Sequence, residues 1–259
     1  MVSILDQLFQ LDGKVALVTG GGRGLGKQIA LTFAEAGAKV MVCSRKVDAC
    51  EETVKEIENL GGEGLAIACD VSDPEQVQKA VDQTLEHFGQ IDILVNNSGA
   101  SWGAPVLEMP IEAWYKVMNV NATGTFLMSQ AVGKHMVDRK SGKIINISSV
   151  AGLNGVDPRV LDAVGYNASK GAIATMTKDL AAKWGPYNIN VNAIAPGFFP
   201  TKMTKGVLAM AGEAIVERTP LGRLGSDDDI KGVALFLASK ASDYVTGDII
   251  SVDGGMNAM

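Results

Sequence analysis

An apolar run, Lys14-Val15-Ala16-Leu17-Val18, leads straight into Thr19-Gly20-Gly21-Gly22-Arg23-Gly24-Leu25-Gly26 and then into Lys27-Gln28-Ile29-Ala30-Leu31-Thr32-Phe33-Ala34. This reads as a strand, a tight turn and a helix. Such a turn lets backbone N–H groups at a helix N-terminus come close to a diphosphate. Glycines alone also serve a plain sharp bend. Their place between strand and helix points instead to a bound dinucleotide. The spacing is Gly20-x-x-x-Gly24-x-Gly26, wider than the Gly-x-Gly-x-x-Gly form.

The rest of the chain repeats the alternation. Further strand-like runs lie at 40–43, 65–69, 91–95, 143–147, 189–194 and 249–252, and helical patterns at 47–60, 112–138 and 164–184. Gly61-Gly62 ends one helix, and Asp73-Pro74 opens another as cap and first helical residue. Strands alternating with helices of this length imply an α/β fold. We expect a single doubly wound Rossmann-type domain over residues 1–259, with about seven parallel strands and helices on both faces. In such sheets ligands bind beyond the carboxyl ends of the strands.

Several function classes are excluded at this level. The net charge of −6 gives no basic footprint for nucleic acid or a membrane surface. No apolar stretch reaches the 18 residues of a membrane span, and Met1-Val2-Ser3-Ile4-Leu5-Asp6 does not read as a signal peptide. Cys43, Cys50 and Cys69 form no metal-ligand pattern, so no metal is expected. Buried free thiols and a cytoplasmic location fit best.

Polar residues just after each strand are the ones that can carry chemistry. After the second strand come Ser44 and Arg45, where an NAD-binding chain usually places an acid for the ribose hydroxyl. With no acid there, and with Arg23 and Arg45 on the phosphate side, the sequence favours NADP(H) over NAD(H). Asp70-Val71 follows the third strand. Asp70 can accept from the adenine amine or cap a helix, although Ser72 and Asp73 are better placed to cap. Asn96-Asn97-Ser98-Gly99 follows the fourth strand and suits close approach to a ribose. Ser148-Ser149 follows the fifth. Beyond it, Tyr166 and Lys170 stand four apart on a helix and share a face. A free tyrosine has a pKa of about 10, too high for proton transfer at neutral pH, and a neighbouring ammonium lowers it. A Tyr–Lys pair alone is commonplace. Its weight comes from sharing this edge with Ser149 and a nicotinamide site.

Taken together, these pieces resemble the short-chain dehydrogenase/reductase family. The motifs are Thr19-Gly20-x-x-x-Gly24-x-Gly26, Asp70-Val71, Asn96-Asn97-Ser98-Gly99, Asn121, Ser149, Tyr166-x-x-x-Lys170, Pro196-Gly197 and Asp253-Gly254-Gly255. They occur in the family's order and near its spacings, with Ser98 replacing a usual alanine. The resemblance implies an oxidoreductase interconverting a ketone and a secondary alcohol through a tetrad of Asn121, Ser149, Tyr166 and Lys170. Tyr166 would exchange the proton. Lys170 would lower its pKa and hold the nicotinamide ribose. Ser149, rather than its neighbour Ser148, would hydrogen-bond the reacting oxygen. Asn121 would help hold a water linked to Lys170. The implied cofactor contacts are Gly20, Arg23, Gly24, Leu25, Gly26, Ser44, Arg45, Asp70, Val71, Asn97, Gly99, Tyr166, Lys170, Pro196, Gly197 and Thr201, with Thr201 anchoring the nicotinamide amide. A homotetramer with 222 symmetry is the family expectation, and Ala172, Ile173, Met176 and Leu180 supply apolar helix faces for it.

The substrate is less constrained. The segment from Thr201 to about Thr219 lies where the family has a lid, with Met203, Val207, Leu208 and Met210 as an apolar wall; Lys202 and Lys205 can meet an acidic substrate or be solvated, and solvation is favoured. An insertion near Asn154–Arg159 should border the substrate mouth. Within the family the chain looks most like 3-oxoacyl-carrier-protein reductases, including the rhamnolipid-synthesis branch, and like gluconate dehydrogenases. Lys140 and Tyr187 occupy the two carrier-docking positions, of which only Lys140 is basic. A family member that binds cofactor as a regulator, without turnover, is the alternative from another class.

Overall fold

Buried strands in a sheet covered on both faces need apolar residues at successive positions, and the strands of this protein have them. The computed structural model describes residues 3–258. The strands are β1 (Val15–Thr19), β2 (Lys39–Ser44), β3 (Gly64–Ala68), β4 (Ile93–Asn96), β5 (Gly142–Ile147), β6 (Ile189–Pro196) and β7 (Ile249–Val252). They form one seven-stranded parallel sheet in the order β3-β2-β1-β4-β5-β6-β7. The chain thus reverses its direction of winding between β1 and β4, which leaves a crevice at the C-terminal edge.

Because successive side chains alternate in direction, each strand feeds two cores. Ala16, Val18, Val40, Val42, Ile93 and Val95 face one way. They pack with Ile29 and Phe33 of α2 (Gly24–Glu35) and Ile230 and Leu237 of α9 (Asp227–Ala238). Leu17, Met41, Leu94 and Ile144 face the other way. They meet Val77 and Val81 of α4 (Pro74–Phe88) and Met128, Val132 and Met136 of α6 (Gly124–Arg139). The remaining helices are α1 (Ile4–Phe9), α3 (Val47–Asn59), α5 (Ile111–Met118), α7 (Val164–Trp184) and α8 (Lys205–Glu217).

Local signals account for the boundaries. Asp73 caps α4 by accepting from the backbone N–H of Glu75 and Gln76, with Pro74 at the first position. The helix expected over 112–138 is present but not uniform. Between α5 and α6, residues Asn119–Thr123 form a π-turn, and the buried Asn121 lies inside it. A π-turn spends one extra residue per turn, which changes the face presented by everything after it. Helix α9 had not been anticipated. It opens on a capping box between Ser226 and Asp229. The three cysteines are free and buried. No helix among the described residues is long and apolar enough to cross a membrane. Nor do those residues hold a group of three or more His, Cys, Asp or Glu that could bind a metal ion.

Candidate active site

The strands end in register, so the loops after β1, β2, β3, β4, β5 and β6 gather at one edge. The glycine turn is held there from beneath. Thr19 Oγ1 accepts from the backbone N–H of both Asn97 and Ser98, at 3.0 Å each. The Asn97 side chain returns the contact, donating to the carbonyls of Thr19 (3.0 Å) and Gly20 (3.2 Å). Gly26 is required by this packing, since a Cβ there would lie 2.3 Å from Asn97 Nδ2 and 2.6 Å from the Gly20 carbonyl.

At the front of the turn, Arg23 begins α2 without a side-chain cap. The first N–H groups of α2 therefore point outward with no side chain filling their place. Gly24 has φ +54°, and the only atoms near its missing Cβ belong to Thr201, the nearest at 3.6 Å. An open helix N-terminus facing Thr201 across a gap fits a dinucleotide diphosphate. Ser44 and Arg45 close β2 on the adjoining side. Ser44 Oγ donates to the Lys46 carbonyl, and Arg23, Arg45 and Lys46 are exposed. Lys46 adds a cation that sequence reasoning passed over. Asp70 takes two hydrogen bonds from Ser72 on a single carboxylate oxygen. Val71 is buried, while Gly99 and Gly197 are half-buried at the same edge. Pro196 ends β6, and Gly197 is tied back by donating to the Val252 carbonyl.

The residues expected to carry the reaction converge from separate elements. Ser149 follows β5 and Tyr166 lies in the first turn of α7, and both line one cavity of about 320 Å³. Ser148, its neighbour, turns inward and donates to the Lys170 carbonyl at 2.9 Å. Lys170, one helical turn after Tyr166, is buried and donates to the Ile147 carbonyl at 2.6 Å. Its ammonium lies 5.7 Å from the centre of the Tyr166 ring. Asn121 donates to Ser169 Oγ (2.8 Å) and the Ala100 carbonyl (2.9 Å), and accepts from the Ala100 N–H (2.7 Å). Ser169 passes the chain on to the Tyr166 carbonyl at 2.7 Å.

Burial dominates the electrostatics. The apolar surroundings raise the Tyr166 phenol above its ordinary value, with a hydrogen bond to Ser149 pulling the other way. The same burial drives Lys170 down to about 8. The lowering of Tyr166 by Lys170 expected from their spacing is therefore not what the chain by itself displays, because both groups are desolvated together.

Beside Ser149 and Tyr166, the cavity is lined by residues of α8 and its flanks and of the 154–161 loop. Met203 and Val207 line it as expected, whereas Leu208 and Met210, expected in the same wall, do not, Met210 being exposed; Asn154 and Asp157 bring the 154–159 segment to the cavity. Phe198, Arg218, Met256 and Asn257 also line it, and sequence reasoning had named none of them.

Comparison with known proteins agrees with this geometry. A family model described as enoyl-(acyl carrier protein) reductase matches residues 20–257. A short-chain type dehydrogenase/reductase from Mycobacterium marinum superposes with a TM-score of 0.95 at 40% identity, over 99% of this chain and 100% of the other. The chain belongs to the short-chain dehydrogenase/reductase family. As such it is an oxidoreductase acting on CH–OH groups. Among its relatives, the 3-oxoacyl-[acyl-carrier-protein] reductase of Thermotoga maritima is 40% identical, covering 95% of this chain and 99% of that one. The gluconate 5-dehydrogenase of Burkholderia cenocepacia, solved with NADP and tartrate, has a TM-score of 0.94 at 38% identity, over 99% and 100% of the two chains. This short-chain dehydrogenase/reductase therefore resembles two substrate branches almost equally.

Proposed function

We propose that the protein, acting as one domain over residues 1–259, is an NADP(H)-dependent reductase of ketones, reversibly a dehydrogenase of secondary alcohols. The observation that carries this reading is the shared cavity at the sheet's C-terminal edge. It brings Ser149 and Tyr166 together beside Gly197, with Lys170 buried behind them. The bound dinucleotide would supply or accept the hydride. The protein's residues handle the proton. Tyr166 gives its phenolic proton to the carbonyl oxygen during reduction and recovers it from the alcohol during oxidation. Ser149 Oγ hydrogen-bonds that same oxygen as charge develops on it. Lys170 sits one turn away as the buried cation, and Asn121 ties the 97–101 loop to α7 through Ser169.

The diphosphate would lie on the turn made by Gly20, Gly24, Leu25 and Gly26, with Asn97, Gly99, Pro196, Gly197 and Thr201 flanking the nicotinamide half and Asp70 and Val71 the adenine. Arg23 and Arg45 would hold the 2′-phosphate. The neutral Ser44 supports this preference, as do relatives solved with NADP. The mainly apolar cavity wall favours a 3-oxoacyl thioester-like substrate. The polar groups at its mouth, Asn154, Asn257 and Arg218, favour the second reading of a sugar acid. A cytoplasmic homotetramer is the expected form. Its helix faces would include Tyr115 and Phe126, both exposed in the single chain.

The test is consumption of NADPH and of NADH with a panel of 3-oxoacyl thioesters, diketones and keto sugar acids. Reduction of members of the panel with NADPH preferred is expected. No turnover with any ketone would leave the regulatory reading in its place.

A further inference from the structure

The cavity that Ser149 and Tyr166 line also holds a pair of opposite charges that the reaction does not use. Arg218 directly follows α8, and Asp157 lies in the loop before α7. They are joined by one long hydrogen bond, from Arg218 Nη2 to Asp157 Oδ2 at 3.4 Å. Asp157 is already well served. The guanidinium of Arg159 grips both its oxygens, with Nε at 3.0 and 3.2 Å and Nη2 at 2.6 Å, and the Arg159 N–H adds a fourth bond at 2.9 Å. Arg218 has the opposite balance. A guanidinium carries five N–H donors in a planar fork, and among the described residues this one spends a single donor on a shared acceptor.

We infer that Arg218 is the anchor for a carboxylate carried by the substrate at the end remote from its ketone. This deepens the ketone-reductase reading and rests on it. A substrate carboxylate can take two donors of the fork at once, a stronger bond than the long contact with Asp157. Asp157 is a weak competitor for Arg218, and it stays neutralised by Arg159 when Arg218 turns to the substrate. Val150, Val160, Val207 and Ile215 give the lining apolar patches, beside the polar Ser101, Asn154, Thr204 and Asn257. Those apolar patches suit methylenes better than hydroxyls. The ligand class that satisfies floor, wall and mouth together is an oxo acid with an apolar spacer.

The experiment uses straight-chain oxo acids of graded length, each paired with its methyl ester. Binding is measured by calorimetry to the full-length protein saturated with oxidised dinucleotide, so that no ketone can be reduced. The wild type should bind at least one acid more tightly than its ester. Arg218→Gln should lose roughly tenfold in affinity for the acid, the scale of a half-exposed charge-assisted pair, and change little for the ester. Asp157→Asn removes the competing carboxylate and should tighten the acid by roughly threefold. A structural role alone would weaken both ligands in both variants, and that result overturns the anchor. So does a wild type that binds acid and ester equally, or an acid preference that survives in Arg218→Gln. Turnover is scored separately with reduced dinucleotide. Arg218-dependent binding without turnover upholds the anchor and defeats the reductase reading. Turnover of acid and ester alike, in wild type and Arg218→Gln alike, does the reverse.

Discussion

Replacing Gly26 with alanine tests the architecture of the cofactor edge with a single methyl group. The new Cβ would lie 2.3 Å from Asn97 Nδ2 and 2.6 Å from the Gly20 carbonyl, closer than any real contact. The backbone of the turn cannot retreat, because Gly20 N–H is tied to the Cys43 carbonyl at 2.7 Å. The Asn97 amide must move, and it gives up its bonds to Thr19 and Gly20. Two hydrogen bonds are worth about 1 kcal/mol each, and overpacking adds about 1–3 kcal/mol. The sum is about 3–5 kcal/mol. For a chain of this size that corresponds to a fall of roughly 6–20 °C in melting temperature. Dinucleotide affinity should fall as well, since the displaced amide pushes the 97–99 loop and the turn apart. Thermal unfolding with and without NADPH measures both effects. Gly232→Ala supplies the contrast: its Cβ meets nothing within 4 Å and it sits inside α9. That change should be neutral or gain up to about 1 kcal/mol. A Gly26→Ala protein that melts like the wild type and binds NADPH equally well would refute the reasoning.

Tyr166→Phe keeps the ring and removes its proton, so cofactor should bind while turnover falls by roughly two to four orders of magnitude; near-normal ketone reduction at saturating NADPH would remove Tyr166 from its role. Ser44→Asp with Arg45→Ile should shift preference from NADPH towards NADH, read as the ratio of kcat/KM, and a wild type that already favours NADH would contradict the assignment. Lys170 has a folded-state value of about 8, below its ordinary 10.5, so the unfolded chain binds the extra proton between those values. The stability of the wild type relative to Lys170→Met should therefore rise as pH climbs from 8 to 10.5, by up to about 3 kcal/mol, and denaturant titrations showing a flat or falling difference would count against it. Light scattering at micromolar concentration should give four copies; a stable monomer would defeat the tetramer.

The strands were legible because burial on both faces demands continuous apolar runs, and those runs carry their own ends. The same holds for α7, found at 164–184 with its Tyr–Lys pair on one face. Helix α9 was legible too and went unread. Its capping box at Ser226 and its apolar residues Ile230, Ala234 and Leu237 follow helical spacing. The π-turn had no such signal, since a change in hydrogen-bond register leaves the apolar pattern of 112–138 almost intact. Arg218 was invisible for another reason. Its partner Asp157 is 61 residues away, and only the folded course of α8 around the cavity puts them within reach.

The π-turn has a consequence for how this protein can change over generations. An α-helix advances about 100° per residue, so its register depends on how many residues precede a given point. Losing one residue within Asn119–Thr123 would let α5 and α6 merge into a regular helix and swing Asn121 away from Ala100 and Ser169. The seven strands and the first core would be left standing, while α6 would have to turn to keep Met128, Val132 and Met136 against the sheet. On the role proposed for Asn121, a deletion of one codon is thus a short mutational route from an enzyme to a silent look-alike with the same sheet. Length within this segment is accordingly what to compare when sorting active members of the lineage from inactive ones.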